Sequence, residues 1–285
     1  MDSPPEPICL HDPHIVDAAL QDQRLQPPPA PPSLGSGSTA RLRGRMARFS
    51  PSAEHGSKRD RVDRLIGEID LADVRDATTV HTTRFLDRCE LEVDVVVLAA
   101  TVPTSALAAA MGWPNSDSEA LVADVHALAA AVGRGEPATV ATDAAVDRLL
   151  ARATDHGGDV DAAVSLLYQN ADATRALLLS TAAAEVGGHA REPAVRQTVR
   201  VAAADVILGG AGVEHLVDIT AGTVVQLDLV VGDREFGYGP HACPGRAMAE
   251  VIVDAAMDVL RDRTGLSPAR IDRDADDSVV AFRIG

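Results

Sequence analysis

Lysine is almost missing from this chain, cysteine and aromatic residues are scarce, and positive charge is outweighed by negative. Three cysteines in 285 residues, Cys9, Cys89 and Cys243, are too few and too scattered for a disulfide scaffold. That favours a reducing compartment and leads to the expectation of a cytoplasmic protein. Lys58 is the only lysine among 26 basic residues, a bias of base composition rather than a mechanism. Against them stand 42 acidic residues, and the formal charge of −16 excludes a general affinity for nucleic acid or for an anionic membrane surface. Aromatic residues make up only 2% of the chain, so they give a binding pocket no readable specificity.

Apolar material is not short: 46% of the residues are hydrophobic, enough for a sizeable core in one large domain. The opening MDSPPEPICLHDPHIVDAAL has neither a basic leader nor a long apolar run, so no secretory signal is expected. One uncharged stretch, Val95 to Asn115, is long enough to span a bilayer. It is alanine-rich, contains Thr101, Thr104, Ser105 and Pro103, and runs into a Gly-Trp-Pro turn, which reads as a buried helix or a strand followed by a helix.

Residues 27–38, PPPAPPSLGSGS, form a Pro/Gly/Ser-rich loop. Before them HIVDAALQDQRL has the apolar spacing of a short helix, and beyond them residues 119–132 and 143–154 are patterned as helices. Asp161 to Ala184 is apolar on most sides and predicts a helix buried at the centre of the fold. Its middle is polar, with Gln169, Asn170, Asp172 and Thr174. These groups must be satisfied or face a cavity, and the plain account is a threonine bonded to its own helix and an aspartate paired with Arg175 or another basic residue. TVRVAAADVILGGAGV and DITAGTVVQLDLVV read as strands of a small antiparallel sheet. A last helix is expected from about Gly245 to Arg263, with Met248, Val251, Ile252, Ala255 and Val259 on its apolar face.

Between sheet and last helix lies REFGYGPHACPG, residues 234–245, dense in glycine around Cys243. Glycines there give backbone freedom and admit a close approach. The place just before a helix N-terminus favours a thiolate. Cys243 reads as a small structural thiol, as a zinc ligand with His241, or as a nucleophile with His241 as base. None of the three accounts for all the glycines.

FGYGPHACPG resembles the haem-binding signature of the cytochromes P450, F-x-x-G-x-x-x-C-x-G, at Phe236, Gly239, Cys243 and Gly245, with the common histidine at His241. In that family the cysteine is the axial thiolate of haem iron. Other segments resemble the family in the right order. TVRVA is similar to the region whose arginine binds a haem propionate, here Arg200, and HGSKR gives H-x-x-x-R with His55 and Arg59. LLYQNADATRALL is similar to the central helix across the distal haem face, with Thr174 at the oxygen-handling threonine, and HDPHIVDAALQDQRL and AAAMGWP also match.

The resemblance implies a mainly α fold with a small antiparallel β-sheet, a truncated P450-like single domain over residues 1–285, and haem b ligated by Cys243. It implies a tailoring oxidation of a small natural-product-like substrate, of monooxygenase type, with Thr174 and Asp172 moving protons and a ferredoxin and its reductase supplying electrons. Lys58, Arg59, Arg61, Arg64 and Arg246 are the candidate docking face for such a partner. Alternatives are a redox-neutral or peroxide-using enzyme of the same haem-thiolate kind, a noncatalytic haem-binding sensor or partner, and a haem-free remnant. The chain departs from the pattern in lacking E-x-x-R after the central helix, in the brevity of residues 232–235 before the cysteine loop, and in compression between Trp113 and Asp161. The missing brace leads to the expectation of support from a second subunit, as a homodimer, or from the helix after Cys243.

Overall fold

Most helices of this chain start where a short polar side chain takes up their first free N–H groups. In the computed structural model, which describes residues 7–90, 92–116, 119–209, 216–232, 234–273 and 279–284, Asp12 accepts from the amides of His14 and Ile15 and opens α1 (Pro13–Gln21). Helices α2 (Ser38–Arg45) and α3 (Ser52–Glu68) follow the proline-rich loop. Asp70 caps α4 (Leu71–Leu86) and Asp94 caps α5 (Val95–Ala110). After α6 (Glu119–Val132), Thr139 and Thr142 form a reciprocal capping box, which starts α7 (Val140–His156) three residues earlier than its apolar pattern. Asp159 caps the long α8 (Val160–Gly187), which Gly188 ends in the left-handed region at φ 65°. The last helix is α9 (Arg246–Thr264).

The strands are short and fall into three sheets rather than one. Strands β1 (Ile8–Leu10), β2 (Leu25–Gln26), β4 (Gln197–Ala202) and β7 (Val224–Asp228) make the largest, in the order β1-β7-β4-β2. β3 (Val93–Asp94) joins β8 (Pro268–Arg273) and β9 (Val279–Ile284), while β5 (Val206–Leu208) pairs with β6 (Val217–Ile219). The expected antiparallel sheet is therefore corrected in one respect: β1 runs parallel to β7, Ile8 opposite Val225. Three residues are too short for a periodicity to show, and the pairing joins positions 217 residues apart. Part of the quoted VILGGAGV, residues 210–213, lies outside the described residues, as does Asp233 of the short connection before the cysteine loop.

The uncharged segment forms α5, with β3 just before it, and ends at a turn where Gly112 has φ 77° and the Trp113 amide bonds back to Ala108. Among the described residues no helix is long and apolar enough to cross a membrane.

Helix α8 ties the core together because it is apolar nearly all round. Its first half packs Val164, Leu167 and Tyr168 with α5, α6 and α7 residues such as Leu107, Leu128 and Leu149. Its second half packs Leu177, Leu178 and Ala182 with Leu98, Met257 and Phe282. Helix α9 enters both cores, through Met248 and Ile252 on one side and Val253, Ala256, Met257 and Leu260 on the other. Its buried face is thus wider than the sequence suggests. A third cluster joins α1 to the four-stranded and two-stranded sheets through Val16, Leu20, Leu227 and Ile219.

Leu178 is fully buried on α8. Leu178→Ala should cost about 2–5 kcal/mol of unfolding free energy, from lost transfer energy plus the cavity left behind. The shift of the urea unfolding midpoint checks this, and an unchanged midpoint would show that α8 does not carry the core.

Candidate functional site

Cys243 is held at the start of α9 by a loop that closes on itself. The Arg234 amide donates to the Leu229 carbonyl, the Gly237 amide to the Arg234 carbonyl, and the Cys243 amide to the Phe236 carbonyl at 2.6 Å. Between them Gly239–His241 makes a single tight turn. Gly237 has φ 73°, and a Cβ there would run into the His241 carbonyl, so the close approach that the glycines admit is made here by the loop's own backbone. Gly239 has φ 57° and lies against the Gln21 side chain, whereas the Cβ direction of Gly245 meets no atom within 4 Å. Phe236 packs on the second core and carries the Arg246 guanidinium 4.8 Å above its ring.

Four basic side chains from three separate parts of the chain gather beside this loop. His55 and Arg59 come from one face of α3, a turn apart. The Arg59 Nη1 donates to the Ala242 carbonyl at 2.8 Å, fastening α3 to the residue before Cys243, and its Nε pairs with Asp63. The rings of His55 and His241 meet edge to face, with centroids 4.8 Å apart. Arg200, from β4, bonds Thr198 and the Val199 carbonyl through Nη1, while its Nε is enclosed and has no partner.

The electrostatics are one-sided. Burial, and then the Arg48 guanidinium, push Arg200 down to about 10. Burial, then Arg200, His55 and Arg59, push the His241 imidazole down to about 4, and burial with Arg59 and Arg200 lowers His55 against a smaller opposing pull from Asp63. The two imidazoles are thereby favoured in their neutral form, and the desolvated Arg200 guanidinium is costly unless an anion faces it.

The sulfur of Cys243 is open to solvent, yet protein crowds around it enough for burial to push the thiol above its ordinary range. The Gly245 amide, Arg59 and Arg48 pull the other way and lose, so the thiolate expected from the helix N-terminus is not favoured by these groups alone. A separate surface concavity of about 500 Å³ lies between α7 and α8, lined by Arg45, Arg61, Asp159 and Asp161. Its charges satisfy each other in ion pairs, so it offers no free group for chemistry.

No family model and no curated protein matches the chain. Solved structures do. P450BioI in complex with an acyl carrier protein ligated to hexadec-9Z-enoic acid is similar with a TM-score of 0.71 at 16% identity, covering 94% of this chain and 89% of that one. Epothilone B-bound P450epoK gives 0.69 at 18% identity over 97% and 90%. CxnD, a cytochrome P450 for C–S bond formation in chuangxinmycin biosynthesis, gives 0.70 at 19% identity over 97% and 87%. The chain has the cytochrome P450 fold.

Within that P450 fold the residues nominated for the distal side are tied up internally. Thr174 is buried and its hydroxyl donates to the Asn170 side-chain oxygen at 2.8 Å, while Asn170 donates to the Pro103 carbonyl of α5 at 2.8 Å. Asp172 is bound by Arg134 through both carboxylate oxygens at 3.1 Å. The plain account of the polar mid-helix therefore holds, with Arg134 rather than Arg175 as the partner. Most of the candidate docking cations are also engaged: Lys58 with Glu54, Ser50 and the Gly44 carbonyl, Arg61 with Asp159, and Arg246 with Glu250. Arg48 joins the cation cluster although no local pattern singles it out. It is one of four arginines in RLRGRMAR, and only the turn Ala47–Phe49 aims it at Arg200 and Cys243.

Glu185, at the end of α8, is gripped by Arg261 of α9 at 2.6 and 2.8 Å, which ties the helix after Cys243 to the central helix.

Because the folded chain binds a proton at His55 and His241 less readily than the unfolded chain, whose imidazoles titrate near 6.5, their contribution to stability is kept above that pH and lost below it. The haem-free protein should lose stability between pH 6.5 and about 4, and His55→Gln should flatten the loss. Urea midpoints measured across this range test it, an equally steep loss in the variant being the contrary result.

Proposed function

We propose that the chain is a haem-thiolate oxidoreductase that binds haem b through Cys243 as a single P450-like domain over residues 1–285. The observation that carries this reading is the basic cluster beside an exposed cysteine, above all the enclosed Nε of Arg200, which has no hydrogen-bond partner among the described residues. A haem brings two carboxylates for such a cluster and an iron for the thiol, so the residues fit it.

Arg59 and Arg200 would hold the propionates, with His55 and His241 as further donors. Gly245, with no side chain and open space in its Cβ direction, leaves the approach to Cys243 clear. Iron ligation would hold the cysteine deprotonated, overriding the burial that favours the thiol. The bound haem would supply oxidation of an otherwise unreactive bond in the substrate. Structures named for epothilone B binding and for C–S bond formation in chuangxinmycin biosynthesis support a small natural-product-like substrate.

On the monooxygenase reading, Thr174 and Asp172 move protons at the distal side and a ferredoxin with its reductase delivers electrons. A second reading is favoured by the bonds that Thr174 makes to Asn170 and Asp172 to Arg134. With both proton carriers engaged and most of the candidate docking cations paired, a redox-neutral or peroxide-using reaction needs fewer rearrangements.

The purified protein should take up haem and give a reduced carbon monoxide complex with the red-shifted Soret band of thiolate ligation, which Cys243→Ser should abolish. A chain that stays colourless with haem supplied during expression would end this reading. Arg200→Ala should weaken haem binding by roughly 2–5 kcal/mol, the cost of a buried carboxylate left without its charge partner, measured by haem transfer to an acceptor protein. Unchanged retention would remove Arg200 from the site. Turnover with peroxide, or with no reductant at all, would select the second reading. Turnover that requires reductant and oxygen would select the first.

A further inference from the structure

The cysteine loop is entered through two consecutive residues of opposite charge, and each is clamped to a different part of the chain. Arg234 forks onto Asp17 of α1, Nε to Oδ1 at 2.6 Å and Nη2 to Oδ2 at 2.8 Å. Its guanidinium also lies 4.5 Å above the Tyr238 ring, inside the loop. Glu235 turns the other way. It receives the Arg191 fork, Nη1 at 2.9 Å and Nη2 on the second oxygen, and also the Ala194 amide at 2.9 Å. The two carboxylates are well covered, at 19% and 13% side-chain exposure. Paired forks with partial burial are the geometry in which an ion pair is worth more than the small value of an exposed one.

Burial works against the Glu235 carboxylate, yet Arg191 and the Ala194 amide outweigh it and hold the group below its ordinary range. Asp17 is likewise held low, chiefly by Arg234. Both pairs are therefore fully charged at neutral pH. Phe236 follows at once, and its carbonyl is the acceptor for the Cys243 amide. Fixing residues 234 and 235 thus fixes the acceptor that sets the cysteine.

We propose that Asp17, Arg191, Arg234 and Glu235 form a double clamp of positioning residues that sets the Cys243 loop, in the place of the E-x-x-R brace this chain lacks. The inference rests on the reading of Cys243 as the haem ligand, but the clamp exists in the haem-free chain and can be tested there.

The test is amide hydrogen exchange of the haem-free protein across residues 236–243, for Arg191→Ala, Glu235→Ala and the double variant, with Arg263→Ala as an ion-pair control on the far end of α9. Each single clamp variant should speed exchange at Cys243 by about tenfold or more, the factor that about 1.4 kcal/mol of local stability corresponds to. The double variant should add little to either, because the two residues act as one unit. Exchange in α8 and the control variant's exchange at Cys243 should stay unchanged. In haem-loaded protein the same variants should lower the thiolate-ligated share of the carbon monoxide complex. Should an alanine variant fail to fold, Arg191→Lys, which keeps the charge and loses the fork, should give the same effects in weaker form. Unaltered exchange at Cys243 in the clamp variants, or acceleration spread equally through α8, would overturn the clamp. A wild-type chain that takes up no haem would defeat the haem reading alone, since the exchange arm needs none.

Discussion

A patch of positive charge drawn partly out of water, with little negative charge to balance it, is the constraint on which the rest of this molecule turns. Arg59 has Asp63, but among the described residues Arg200 bonds the neutral Thr198 hydroxyl and Val199 carbonyl and no carboxylate, and His241 is held neutral by burial and its basic neighbours. The desolvation and repulsion are unfavourable, so they persist only because three well-packed clusters elsewhere over-determine the positions of α3, β4 and the cysteine loop. A dianionic ligand would convert that penalty into binding energy.

Helix α8 serves two purposes that conflict. As the shared wall of the two helical cores it has to be apolar almost all round, yet it carries Asn170, Asp172 and Thr174 in its middle. The conflict is settled by side-chain bonds that use neighbours rather than water. Asn170 reaches the carbonyl of Pro103 in α5 and takes the Thr174 hydroxyl, and Asp172 reaches Arg134 beyond α6. These bonds satisfy the buried groups, and in doing so they reduce the freedom of the same groups to move protons.

The brevity of the chain has a similar consequence on the other side of Cys243. With few residues between β7 and the cysteine loop, the loop is stabilised by hydrogen bonds within itself and by ion pairs to distant segments, α1 on one side and residues 191–194 on the other. The Glu185–Arg261 pair does the same for α9.

The elements with a sustained period were legible in the sequence. The 3.6-residue apolar pattern located α6, α8 and α9, and the spacing of glycines, proline and cysteine marked the loop before α9, because helix periodicity and turn chemistry are local properties. The residues His55, Arg59, Arg200, His241 and Cys243 could be nominated only through the resemblance to the cytochrome P450 segments, and the fold does gather them. Other features were decided only by tertiary structure. The parallel pairing of β1 with β7, the recruitment of Arg48, the Thr174 to Asn170 to Pro103 chain and the clamps on Arg234 and Glu235 all join residues that carry no local signal. A sequence states which charges a chain has. Which of them are desolvated, and which neutralise one another, depends on distances that exist only once the helices have packed.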